Sequence, residues 1–212
     1  VGGNYVEHYA KKAVDPSRGK DELHADNARD IYDSLSELKG SALKVAQMMS
    51  MDKNMLPTAY QDKFSMAQYS APPLSYPLVV KTFQQYFKKS PLDVFDSFTK
   101  SAVNAASIGQ VHKARLKDGR SIAIKIQYPG VRDTISSDIA LAGSICKRLA
   151  KNGDQFDDYI AEIESTLMKE TDYIEEGKST HRLHVRFAMN RVFTPKWIPE
   201  LSTERVLSMP FI

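Results

Sequence analysis

The chain has 212 residues, 42% of them hydrophobic and 26% charged, with a formal net charge of +3. This length can bury a real core, as one domain or as a small domain with a helical appendage. The charge is too small to argue for nucleic acid and leaves only a weak pull toward anionic surfaces or nucleotides. Cys146 is the only cysteine, which excludes an intrachain disulfide and reads as a packed thiol on a helix. His181 and His184 have a helical spacing but no third ligand, so no metal site is predicted. No apolar run approaches the roughly 18 residues a membrane span needs. There is no initiator Met or signal peptide, and the last residues, Met209-Pro210-Phe211-Ile212, are apolar; both ends read as cut from something longer.

Residues 1–27 are polar, with a Pro-Ser-Arg-Gly turn at 16–19, and read as a lead-in. From about Ala28 the positions Ile31, Leu35, Leu38, Ala42, Val45 and Met49 alternate spacings of four and three, the stripe of one long amphipathic helix. Lys44 and Gln47 lie off its middle, three apart and therefore neighbours; taken alone they read as solvated surface. Pro57 opens a second helix to about Gln68. Ser75 can cap a third, with Pro77 in its first turn, running to about Lys88 with Leu78, Phe83 and Phe87 as core. Met48, Met49, Met51, Met55 and Met66 read as packing among these helices, with a pliant binding surface as the other reading.

Near residue 97 the period changes. Phe98–Val103 is strand-like, 104–110 is a turn of small residues, and Val111–Leu116 alternates as a second strand. Asp118-Gly119 signals a two-residue type I′ hairpin. It feeds Ser121-Ile-Ala-Ile-Lys-Ile-Gln127, where Ile122, Ile124 and Ile126 take one face and Ala123 and Lys125 the other. An ammonium on a strand otherwise built for burial needs an anion, from the protein or from a ligand. Helices follow from about Val131 to Lys151 and from about Phe156 to His184, with Tyr159, Ile163, Leu167 and Ile174 inward on the second. Asp172 and Glu176 are four apart on that helix and share a face, while Glu170 lies well round from both. Short strands are predicted at 191–194 and 206–211.

A small-residue turn between two strands, a Lys on the next strand and an acidic helix beyond form a phosphate-handling plan. The runs Asn104-Ala-Ala-Ser-Ile-Gly-Gln-Val-His112, Ile122-Ala-Ile-Lys-Ile-Gln-Tyr-Pro-Gly-Val131 and Glu170-Thr-Asp-Tyr-Ile-Glu-Glu176 resemble those of the UbiB/AarF-type atypical kinases, whose animal relatives are the ADCK proteins. The resemblance covers roughly residues 28–212. It implies an α+β fold: a protein-kinase-like N-lobe with a small antiparallel sheet and helix C at 96–212, preceded by a helical extension at 28–95 that carries the K-x-G-Q motif. The C-lobe, with its catalytic-loop Asp and Asn and its metal-binding Asp, is expected to lie outside these residues.

Carried over by position, Lys125 corresponds to the ATP-pairing lysine and Glu176 to the helix-C glutamate that holds it. Ala105, Ala106 and Ser107 fall on the alanine-rich loop that replaces a glycine-rich one. Glu170 and Asp172 match the E-x-D pair, and Lys44 and Gln47 the K-x-G-Q signature, whose Lys can meet those carboxylates in the family. Ala123, Met209 (the gatekeeper position), Pro210 and Ile212 would line the nucleotide. Two positions depart from the pattern: Ala46 stands for the signature Gly, and Asn104 for a loop alanine. The resemblance implies ATP or ADP with Mg²⁺, a role in isoprenoid-quinone biosynthesis or lipid metabolism, and a cytoplasmic or organelle-matrix protein peripherally associated with a membrane. Partners would be the nucleotide, a membrane surface or quinone-biosynthesis proteins, and no nucleic acid. The alternative is a non-catalytic scaffold that binds a partner or membrane through the Met-rich helices.

Overall fold

The computed structural model describes residues 20–37, 42–52, 55–65, 73–106, 108–150, 156–187 and 194–212. In chain order the helices are α1 (Lys20–Glu37), α2 (Ala42–Ser50), α3 (Thr58–Ser65), α4 (Tyr76–Phe87), α5 (Pro91–Val94), α6 (Val131–Leu149), α7 (Phe156–Glu170) and α8 (Tyr173–Phe187). The strands are β1 (Ser97–Phe98), β2 (Asn104–Ala106), β3 (Gly109–Arg115), β4 (Ser121–Gln127) and β5 (Val206–Pro210), with a 3-10 turn at Pro199–Leu201. Two compact units result. One comprises the described residues up to Tyr69 with Thr134–Ser165, and the other those of Ser70–Asp133 with Thr166–Ile212.

In the first unit the helix predicted from about Ala28 to Met49 coincides with α1 and α2, and residues 38–41 between them lie outside the described ones. Helix α1 begins eight residues earlier, at Lys20, because Leu23 extends the buried stripe of Ile31 and Leu35 backwards into the supposed lead-in. It ends at Glu37, and α2 starts at Ala42; Leu38 lies outside the described residues, as do residues 1–19. Ala42, Val45, Ala46 and Met49 are fully buried on α2, and Tyr60 and Phe64 on α3. Of the methionines, Met49 and Met55 pack inward and Met51 is exposed, while Met66 lies outside the described residues. Cys146 is buried on α6, and burial pushes its thiol up to about 12, as suits a packed rather than a reactive sulfur. The Tyr159 hydroxyl on α7 donates to the Met48 carbonyl at 3.1 Å.

The second unit is an antiparallel sheet in the order β1-β3-β4-β5, with β2 also paired to β3. The alternation in β4 appears as read: Ile122, Ile124 and Ile126 are buried on one face, where they pack with Phe83 and Val79 of α4 and with Phe95 and Phe98. Ser75 takes the N-cap position of α4, but its side chain makes no capping bond. Leu78, predicted as core, is 44% exposed, because the inward face runs through Val79, Thr82 and Phe83. The predicted strand 98–103 shrinks to Ser97–Phe98, and of the predicted turn 104–110, residues 104–106 form strand β2 and 109–110 begin β3. The hairpin after β3 is a three-residue loop, Lys117–Gly119, in place of the type I′ turn. Leu116 and Arg120 close it, and only Gly119 takes positive φ (+91°). The predicted strand 191–194 is not formed at Thr194, and residues 191–193 lie outside the described ones.

Buried polar residues tie the start of α4 to this sheet. His112 Nδ1 lies 2.8 Å from the Thr99 carbonyl, so it carries the proton and donates. Its Nε2 then accepts from the Gln110 amide nitrogen at 2.8 Å, and Gln110 Oε1 accepts from the Leu74 N–H at 2.6 Å. Every member has one allowed role, so the relay is satisfied in one direction only.

Candidate functional site

The face of the sheet opposite the isoleucines carries the candidate site. Lys125 pairs in register with Val111 of β3 and Leu207 of β5, and Val111 pairs with Asn104 of β2. Registered partners share a face, so these four residues form one row across the sheet. The next rows hold Ala123 beside Met209 and Gly109 beside Ala106. Ala105 pairs with Gln110 and Pro210 with Ile122, which places both on the opposite face. Ile212 is 78% exposed beyond the end of β5, and Ser107 lies outside the described residues.

The Lys125 ammonium lies 2.8 Å from each carboxylate oxygen of Glu176. The lysine side chain is 19% exposed and the glutamate 36%, so the pair sits at the lip of the protein, neither dry nor fully solvated. The same ammonium stands 4.5 Å from the centroid of the Tyr173 ring. Tyr173 is fully buried among Ile108, Val131 and Leu207, and Trp197 and Met209 pack against that cluster. Tyr173 and Glu176 are three apart, so one turn of α8 meets Lys125 with both a ring face and a carboxylate. The sequence reading missed Tyr173, although it lies inside a quoted motif and its spacing from Glu176 placed it on the same face.

The predicted single helix from Phe156 to His184 is corrected here. Helix α7 ends at Glu170 and α8 starts at Tyr173. Asp172 is therefore not a helix-face neighbour of Glu176. It caps α8: its Oδ1 accepts from the N–H groups of Ile174 and Glu175, both at 3.1 Å. The break is held from outside by two donors on the Thr171 carbonyl, Gln127 Nε2 at 3.0 Å and Arg205 Nη1 at 2.9 Å. Asp172→Asn keeps an oxygen in the capping position, whereas Asp172→Ala removes about 1 kcal/mol of helix stabilisation. Urea unfolding should thus show Asn near wild type and Ala less stable. Equal losses in the two variants would mean that the charge, and not the cap, is what α8 needs.

Asn104, the departure in the alanine-rich loop, directs its Oδ1 to the Ala105 N–H at 3.0 Å. One backbone donor of the loop is thereby satisfied internally. Ala46, the other departure, is fully buried, and Lys44 and Gln47 beside it on α2 are half-buried in the first unit. His184 Nδ1 lies 2.9 Å from the Thr194 carbonyl, and among the described residues no three His, Cys, Asp or Glu side chains converge as a metal cage.

The ABC1 atypical kinase-like domain matches residues 66–212. The chain belongs to this family. It is 30% identical to the probable serine/threonine-protein kinase abkA of Dictyostelium discoideum, over 100% of this chain and 41% of that protein. It is 34% identical to the mitochondrial atypical kinase coq-8 of Caenorhabditis elegans, over 88% of this chain and 25% of that protein. Among solved structures, the complex of Rv3197 with erythromycin from Mycobacterium tuberculosis matches with a TM-score of 0.52 and 27% identity, covering 90% of this chain and 49% of that one. This family member thus spans less than half the length of these relatives. Its second unit has the α+β, kinase-like N-lobe arrangement, with the Lys125 strand in the sheet and α8 in the place of helix C.

Proposed function

We propose that this chain is the nucleotide-binding portion of a UbiB-type atypical kinase or ATPase. The observation that carries the reading is the Lys125–Glu176 pair, which joins the central strand β4 to α8. The ammonium lies 2.8 Å from both carboxylate oxygens of Glu176, and of its three N–H donors at least one remains for a phosphate oxygen. Lys125 would neutralise the α/β-phosphates while Glu176 fixes it, and Ala123 and Met209 would flank the base on the same face. ATP supplies the transferable phosphoryl group, and Mg²⁺ would offset its charge. Mg²⁺ is commonly held by one or two carboxylates and the phosphates themselves. Glu170 and Asp172 are the carboxylates proposed for that task, and Asp172 keeps its second oxygen outside the cap bonds. Gln47 would act with Lys44 in the signature role that the resemblance implies.

For the whole protein, the resemblance supports a role in isoprenoid-quinone biosynthesis or lipid metabolism. The mitochondrial name of the nematode relative supports an organelle as its location. The membrane association proposed for the whole protein is peripheral; no described helix is long and apolar enough to cross a membrane. The scaffold reading has one observation in its favour, the Ala105 N–H already taken by Asn104. Titrating the full-length protein with Mg-ATP and Mg-ADP separates the two. A binder should gain about 2.7 kcal/mol at a hundredfold excess over Kd, read as a rise in Tm. A scaffold should show no response.

A further inference from the structure

We infer that Tyr173 is a positioning residue for Lys125, a second anchor that holds the ammonium in place independently of Glu176. The inference deepens the nucleotide reading above and rests on it for its functional meaning.

The ring centroid lies 4.5 Å from the ammonium, inside the roughly 6 Å within which an aromatic face attracts a cation. The two anchors differ in kind. Glu176 is 36% exposed on a flexible side chain, so water and salt weaken its hold and a phosphate can compete with it. Tyr173 is fully buried, and a cation–π contact strengthens as it is desolvated. The ring is also fixed in place. Its backbone N–H meets the Glu204 carbonyl at 3.3 Å, and the residue packs against Ile108, Val131 and Leu207. A Cβ on Gly109 would come 3.0 Å from its hydroxyl, so the glycine admits the ring to this depth. Burial raises the phenol well above its ordinary value, aided by the nearby Glu176 carboxylate. The hydroxyl therefore stays neutral, and the ring acts through its face and not as a phenolate.

The consequence concerns the exchange step. When a phosphate arrives and draws one or two N–H bonds from Glu176, an ammonium held by the carboxylate alone would have to be repositioned. With the ring beneath it, the ammonium keeps its place while its hydrogen-bond partners change.

The test keeps the volume of the ring and changes its electronics. Phenylalanine and pentafluorophenylalanine at 173 are similar in size, but fluorination reverses the charge of the ring face. In the nucleotide-free full-length protein, the rate at which an amine-acylating reagent modifies Lys125 is followed by peptide mass spectrometry. Tyr173→Phe should match wild type within about twofold, and the fluorinated ring should raise the rate about tenfold. The rise should be larger in a Glu176→Gln background, where the ring is the remaining anchor. Equal rates for the two rings in both backgrounds overturn the inference, since a merely space-filling ring would give that result. Mg-ATP affinity is then measured on the same proteins and should fall about tenfold with the fluorinated ring. A changed acylation rate with no Mg-ATP binding in wild type would sustain the anchoring role and defeat the nucleotide reading, so the two failures are distinct.

Discussion

Lys125→Ala is expected to remove half or more of the rise in Tm that Mg-ATP gives the full-length protein. Lys125 sits mid-strand in β4, between Val111 and Leu207, while a second cation on this face, Lys113, is registered with Ala123 one row away and stands 4.3 Å from the Phe211 ring centroid. Charge-assisted hydrogen bonds to phosphate are each worth about 1.5–3 kcal/mol, so losing the ammonium should weaken binding by at least tenfold and up to about a hundredfold. The fold itself should hardly notice. Glu176 loses its partner but is more than a third exposed, and water can solvate the freed carboxylate, so a stability change below about 1 kcal/mol is expected. Lys125→Arg is the informative control. A planar guanidinium keeps the charge but cannot place a compact cation both over Tyr173 and between the Glu176 oxygens, so it should rescue only part of the affinity. An unchanged Mg-ATP response in the alanine variant would remove Lys125 from the proposed role.

Gly109→Ala should be among the most damaging single substitutions in the second unit. An added Cβ would lie 2.4 Å from the Ile126 carbonyl oxygen and 3.1 Å from the Gln127 Cα, both main-chain atoms of the paired strand. Backbone in a ladder cannot swing aside as the end of a side chain does, so β3 and β4 must separate at the Gly109–Gln127 pair. The bond from the Tyr128 N–H to the Ile108 carbonyl, adjacent to that pair, would be strained as well. Overpacking of this kind costs about 3 kcal/mol, or a fall in Tm on the order of 6–12 °C for a chain of this size. Calorimetry on the purified variant checks it. A Tm within about 2 °C of wild type would show that the strands have more slack than their pairing implies.

Periodicity made the central sheet legible. The alternation of Ile122, Ile124 and Ile126 fixed both the strand and the face on which Lys125 sits, because a period of two leaves no other arrangement. The partnership of Lys125 with Glu176 spans 51 residues and could not be read from spacing; the resemblance of the motifs supplied it. The errors differ in cause. Apolar stripes continue across breaks made by local hydrogen bonds, so Asp172 looked like one more residue on a helix face when it begins a new helix. Leu78 looked like core because its hydrophobicity is plain, while its neighbour Val79 occupies the inward position. Tyr173 was overlooked because a buried tyrosine on a helix reads as packing, and only its distance to a cation marks it as more.

The close fit of Gly177 against Trp197 bears on how α8 can move. A Cβ there would lie 2.4 Å from the indole ring, so the helix and the ring meet like a key in its slot. The segment carrying Trp197 is joined to β5 through the Ile198 N–H and the Ser208 carbonyl at 3.0 Å, one residue before Met209. A roll of α8 that carried Glu176 away from Lys125 would press on the indole and, through it, on the strand beside Ala123. Helix orientation and strand position are in this way geared together, so a disturbance at either end of the pair is felt at the other.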